Sequence, residues 1–139
     1  MELTIEQALQ KGIAAHKEGK LDEAERFYRA ILQSQPTNPD ANHNLGLIAI
    51  SVNQIAEALP LFKAALDVNP DIGKFWVGYI NALLRDKQFE NAKQVFEEGK
   101  EKEKLSGETE YSIDAAINAN MGRLDEAKES YAKVIALKP

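Results

Sequence analysis

The sequence predicts an all-α fold: about eight helices, paired into four helix-turn-helix repeats that stack as a superhelical solenoid. Three observations carry this. Self-similar segments return every 34 or 35 residues. Each period holds two stretches with apolar residues spaced by three and four, the mark of an amphipathic helix. Helix caps and turn residues fall where the periods meet.

The self-similar segments read LDEAERFYRAI, IAEALPLFKAA, FENAKQVFEEG and LDEAKESYAKV. They put Ala24, Ala58, Ala92 and Ala127 in register, separated by 34, 34 and 35 residues. Four residues after each alanine stands a ring: Tyr28, Phe62, Phe96 and Tyr131. Three residues before it stands a bulky apolar group: Leu21, Ile55, Phe89 and Leu124. Proline closes the period at Pro36, Pro70 and Pro139, with Lys104 in its place in the third. A fixed period of this length identifies a stack of supersecondary units, because one helical hairpin cannot bury its apolar face alone.

Element by element, Thr4-x-x-Gln7 is a capping box that opens a first helix running to about Glu18. Gly19 permits a tight turn, and a second helix runs from about Leu21 to Ser34. Asn38 and Pro39 restart the pattern as cap and first helical residue. Pro60 lies inside the second helix of the second repeat, where a missing N–H predicts a kink or a late start. From Glu97 to Lys104 charges alternate past the point where other repeats stop, which predicts a solvated, extended helix end. The sharper reading of that stretch is a hinge before the fourth repeat. Gly107 is the extra residue that lengthens the last spacing, and Asp114 and Asn118 stand where apolar residues are expected.

These columns resemble the tetratricopeptide repeat, whose pattern runs W-x2-L-G-x2-Y, then A-x3-F, then P. Leu45-Gly46 with Ala49, Ala58, Phe62 and Pro70 is the cleanest copy. Gly12, Ala15, Ala24, Tyr28 and Pro36 make the first, and Trp76 opens the third, although Tyr79-Ile80 replaces its Leu-Gly pair. The resemblance covers nearly the whole chain as a single domain, 1–139, with repeats at about 5–38, 39–72, 73–107 and 108–139.

Composition bounds the function. With 139 residues and 44% hydrophobic against 28% charged, the chain is globular. No apolar run approaches the roughly 20 residues that cross a bilayer, and the start lacks a basic-then-apolar signal, so membrane insertion and secretion are not expected. A net charge of −5 argues against nucleic-acid binding. The absence of cysteine removes disulfides and thiol chemistry and suits a reducing cytoplasm, the expected location. The two histidines, His16 and His43, lie near Glu6 or Asp40 without metal-ligand spacing, so no metal, cofactor or enzymatic activity is expected. Asp22-Glu23 and Asp125-Glu126 open second helices, where favourable interaction with the helix dipole accounts for them.

The resemblance implies a protein-interaction module that holds an extended peptide or a partner's helix in a concave groove lined by first helices. The groove residues it implies are Leu9, Ile13, His16 and Lys17 from the first repeat. The second offers His43, Asn44 and Leu47, and the third Lys74, Val77, Asn81, Leu84 and Arg85. Leu9, Ile13 and Leu47 read equally well as core beneath curved helices. The carboxylate clamp that some members direct at chaperone tails is matched only at Asn44 and Lys74. Leu9, Ile13 and Gly78 replace its other members. The second repeat also looks like bacterial repeats set before glycosyl-, sulfo- or methyltransferase domains, so a substrate-presenting fragment of a larger transferase is the alternative. The last helix, about Leu124 to Leu137, carries Tyr131, Val134, Ile135 and Leu137, apolar groups suited to a further repeat. Either more chain or a second copy is expected to cover them, the latter giving self-association through the C-terminal repeat.

Overall fold

Helix formation starts where Thr4 caps it. In the structure, a computed structural model describing residues 2–137, the Thr4 hydroxyl accepts the Gln7 N–H at 3.0 Å, and the Gln7 side chain accepts the Thr4 N–H at 2.9 Å. This closes the capping box and opens α1, Ile5–Lys17. α2 spans Leu21–Ser34, with Asp22 and Glu23 in its first turn facing the positive helix end. The Asn38 side chain accepts the Ala41 N–H at 2.9 Å, and Pro39 leads α3, Pro39–Ser51. α4 is Ile55–Val68, α5 Gly73–Arg85, α6 Phe89–Glu101, α7 Gly107–Asn120 and α8 Leu124–Leu137. The fold is all-helical among the described residues, in four consecutive hairpins. Pro139, the closing proline expected of the fourth repeat, lies outside the described residues.

Every hairpin turn uses one device. Gly19, Asn53, Lys87 and Gly122 hold φ between 61° and 79°, the left-handed region. The next residue's N–H returns to a carbonyl five positions back: Lys20 to Ala15, Gln54 to Ala49, Gln88 to Leu83 and Arg123 to Asn118. These are Schellman closures, which satisfy helix-end carbonyls that would otherwise lack partners. Glycine takes that conformation without penalty, whereas Lys87 carries it at a cost of roughly 1–2 kcal/mol.

Two local expectations are corrected. α4 begins at Ile55, in step with α2 and α6, so Pro60 does not delay it. The charged stretch after Phe96 does not prolong its helix, since α6 ends at Glu101. Glu103, at φ 58°, closes it with a fifth Schellman turn, Lys104 N–H to Gly99 carbonyl at 2.9 Å. Leu105 then turns inward and is buried. Gly99 makes its room, because a Cβ there would stand 2.7 Å from Leu105 Cδ1 and 3.2 Å from Trp76. Gly99 is thus a socket for Leu105.

Close contacts divide the chain into two bodies, Met1–Pro70 and Asp71–Pro139. The core of the first joins Ala8, Ala15, Ala24, Tyr28 and Ile31 to Ala41, Leu45 and Ile48, with Leu9, Leu21, Phe27, Leu32 and Leu61 packed against it. Gly12 and Gly46 let α1 and α3 approach the rings of α2 and α4. A Cβ on Gly12 would lie 2.6 Å from the Tyr28 ring, and one on Gly46 3.0 Å from Phe62. In the second body Ile80, fully buried, occupies the corresponding place in α5. There α5 and α6 pack less closely than the helices of the other hairpins do.

Asp114 and Asn118, expected as apolar, form a polar joint between α7 and α8. The Asp114 carboxylate accepts hydrogen bonds from Ser130 Oγ at 2.5 Å and from Asn118 Nδ2 at 3.2 Å. Ser130 is buried while Tyr131 is 48% exposed, so α8 turns a different side inward from its counterparts, whose rings are 0–1% exposed.

Candidate functional site

The sequence-expected site residues have different fates in the structure. Leu9 packs onto the core of the first body. His43 is buried, its ring edge-on to Phe62 with centroids 5.4 Å apart, and belongs to the interior. Leu47 is exposed. The remaining four residues from the first body, Ile13, His16, Lys17 and Asn44, line one depression of about 260 Å³. In the second body Lys74, Val77, Asn81, Leu84 and Arg85 fall at spacings that place them along one side of α5. Val77 and Leu84 are half-buried, and Lys74, Asn81 and Arg85 are exposed. The Lys74 ammonium stands 5.5 Å from the centroid of the Phe75 ring, within cation–π range.

The depression in the first body has a fifth lining residue, Tyr28, which the sequence marked only as core. Its ring is wedged over Gly12, and the His16 ring meets it edge-on with centroids 6.3 Å apart. Burial raises the phenol's pKa above its ordinary value, and the nearby Asn44 side chain partly offsets this. The hydroxyl is itself buried, and its polar neighbour is the Asn44 side chain. No carboxylate lines the depression, so its polar groups are one ammonium, one imidazole, one amide and one phenol. Such a set donates hydrogen bonds to an anionic or carbonyl oxygen.

A second, larger depression, about 650 Å³, opens between the start of α1 and α2, with Leu3, Ile5, Phe27 and Ile31 among its walls. Sequence periodicity missed it because Leu3 precedes the first helix and Phe27 falls beside the repeated ring column. Among the described residues no three His, Asp or Glu side chains cluster as metal ligands. None of the described helices is long and apolar enough to cross a membrane.

Profiles of the tetratricopeptide repeat match residues 49–108 and, separately, residues 8–38 and 115–139. The chain belongs to the tetratricopeptide repeat family. No curated protein matches it. Among solved structures it is similar to MamA from Desulfovibrio magneticus RS-1, with 20% identity over 97% of this chain and 76% of that one, at a TM-score of 0.83. MamA AMB-1 is 24% identical over 99% of this chain and 80% of that one, at 0.75. A tetratricopeptide repeat protein from Parabacteroides merdae is 19% identical at a TM-score of 0.86, and this chain spans about half of it, 52%, with 97% of its own length covered. At these identities the likeness is one of fold. Members of the family typically serve as interaction scaffolds rather than enzymes, and in that general sense the chain is a protein-interaction module.

Proposed function

We propose that the chain takes an extended segment, or a helix, of a partner protein on the exposed sides of its first helices. The primary contact is the α1–α3 side of the first body. One observation carries the reading: Ile13, His16, Lys17 and Asn44, drawn from two helices, converge with Tyr28 on one depression. An apolar wall with a few polar groups is the usual make-up of a recognition pocket. The α5 side, with Lys74 and Arg85 near Val77, is a second contact with basic character in an acidic chain. Selection from a displayed library of random 15-residue peptides tests this. Binders should lose at least tenfold in affinity on Lys17→Glu, with the helical circular dichroism spectrum retained. Lys74→Glu with Arg85→Glu should flatten the salt dependence of binding. Unchanged affinity in both variants would place the binding surface elsewhere.

A second contact surface has its own observation. Leu124, Tyr131 and Ile135 are 62%, 48% and 71% exposed along one side of α8. Their counterparts Leu21, Tyr28 and Leu32 are covered in the first body. We read this stripe as a site of self-association at high concentration. Light scattering from micromolar to millimolar protein should show the mass rising, and Ile135→Glu should hold it at the monomer. A constant mass in the unaltered protein would leave the stripe to another partner.

A further inference from the structure

The apolar stripe along α8 has a charge at its middle. Lys128 is exposed between Leu124 and Tyr131, and positions 124, 128, 131 and 135 step by four, three and four, so they share one side of the helix. Lys128 has no ion-pair partner among the described residues, and the stripe carries no carboxylate of its own. This decides against the simplest self-association, α8 against α8 of a second copy. A two-fold interface must be self-complementary. Pairing the stripe with itself would bring both Lys128 side chains to the centre of the contact with nothing there to neutralise them. Like charges set together in a desolvated contact oppose it.

A complementary surface exists on the first body. The depression of about 650 Å³ between the start of α1 and α2 has Leu3, Ile5, Phe27 and Ile31 in its walls, and Glu2, Glu23 and Arg26 in its lining. Leu3 is 45% exposed and Phe27 is half-buried, so the walls present apolar surface to be covered. Among the described residues none of these three charged side chains is ion-paired. The two carboxylates match the lysine of the stripe, and the guanidinium matches Asp125, three residues before that lysine and also exposed. Apolar anchors seven and four residues apart, laid into an apolar groove, are a recurrent way for one protein to hold another's helix.

We infer that α8 of one copy docks in the α1–α2 depression of another, with Leu124, Tyr131 and Ile135 against its apolar walls and Lys128 facing Glu2 and Glu23. The inference rests on the stripe being a site of self-association and names the surface that receives it. The contact joins unlike surfaces, so a pair of copies either closes by a second, reciprocal contact or grows into an open chain. One helix side in one depression belongs to the small class of interfaces, below about 1,200 Å², whose complexes are weak and need concentrated protein.

Light scattering on the 139-residue protein from micromolar to millimolar concentration tests this with two variants. Ile135→Glu spoils the stripe and leaves the depression intact. Ala30→Glu sets a carboxylate on an exposed part of the depression's lining and leaves the stripe intact. Leu3→Glu, ahead of α1, takes its place if the helical circular dichroism of Ala30→Glu is lost. The parent's mass should rise with concentration, and either variant alone should need about tenfold more protein to associate. Mixed in equal amounts, the two variants should form a one-to-one dimer and nothing larger, at lower concentration than either alone, because each supplies the surface that the other lacks. An Ala30→Glu protein that associates as readily as the parent, or a mixture no more associated than its components, would overturn the inference. In the first of these cases the stripe pairs with itself, so self-association survives and only the depression falls. A constant mass in the parent removes both.

Discussion

The second and fourth hairpins share a sequence pattern and bury it differently. In α3–α4, Gly46 lies against the face of Phe62, and the ring is sealed at 1% exposure between Ala58 below and α3 above. In α7–α8 the pattern again supplies an alanine, Ala127, and a ring four residues later, Tyr131. The ring stands half in solvent, and Ser130 beside it turns inward to Asp114. The difference lies in the facing helix. α3 offers a glycine and the apolar Leu45 and Ile48, so an aromatic ring is the best filling. α7 offers a carboxylate and an amide, and a half-buried carboxylate favours hydrogen-bond partners. The hydroxyl of Ser130 meets that demand and Tyr131 is left outside. A repeated column is thus a statement about pairs of helices, and changing one partner re-aims the other.

Ring deletion gives the largest contrast. Phe62→Ala should cost about 3–5 kcal/mol, because it empties a sealed site between two helices. Tyr131→Ala, at the same place in the pattern, should cost under about 1 kcal/mol. Urea unfolding midpoints of the two variants check this. Similar losses would mean that Tyr131 is as deeply engaged as Phe62 and would sink the comparison.

How legible each hairpin was in the sequence follows the same line. α1 to α3 fall at the expected places, since the capping box, the Gly19 turn and the Asn-Pro start are all short-range signals. The connection after α6 was misread because charge alternation marks solvation and does not by itself carry a helix forward. What ended α6 was a left-handed glutamate, Glu103, held in place by Leu105 entering the Gly99 socket, a contact between residues six apart on opposite sides of a turn. The site was legible in part. The resemblance grouped Ile13, His16, Lys17 and Asn44, which line one depression, yet it could not tell that His43, one residue from Asn44, rotates inward onto Phe62. Tyr28 was hidden for the opposite reason. Its ring obeys the core pattern, although the residue also lines the depression. The one available signal was the exchange of phenylalanine for tyrosine between equivalent repeats.

The glycine column sharpens the comparison at intermediate size. Gly46→Ala would set a methyl group 3.0 Å from three carbons of a sealed ring, and the ring has little room to retreat. Overpacking of this kind costs about 1–3 kcal/mol, more than the gain in helix propensity returns. Ala115→Gly in α7 removes a methyl from a helix that already packs closely on α8, and its cost should stay near the propensity difference of about 1 kcal/mol. Denaturant midpoints decide it. A stabilising Gly46→Ala would show that the α3–α4 spacing is set by something other than the ring.

The smallest effect at neutral pH is the most specific. Tyr28→Phe should change stability by no more than about 1 kcal/mol, since it removes a single buried hydroxyl whose polar neighbour is Asn44. An unfolded tyrosine ionises near pH 10. In the folded protein burial holds the Tyr28 phenol neutral to higher pH, so near and above pH 10 the unfolded state binds fewer protons than the folded one. Stability then falls as pH rises, with the loss running from about pH 10 up to the raised folded value. Phenylalanine has no proton to lose, and every other titrating group is common to both proteins. The gap between the Tyr28→Phe variant and the parent should therefore be constant up to about pH 9 and shift in the variant's favour above pH 10. Urea midpoints measured for both proteins between pH 7 and pH 11 would show it. A gap that stays flat would mean that the hydroxyl titrates as freely in the fold as in the unfolded chain, against the burial seen at Tyr28.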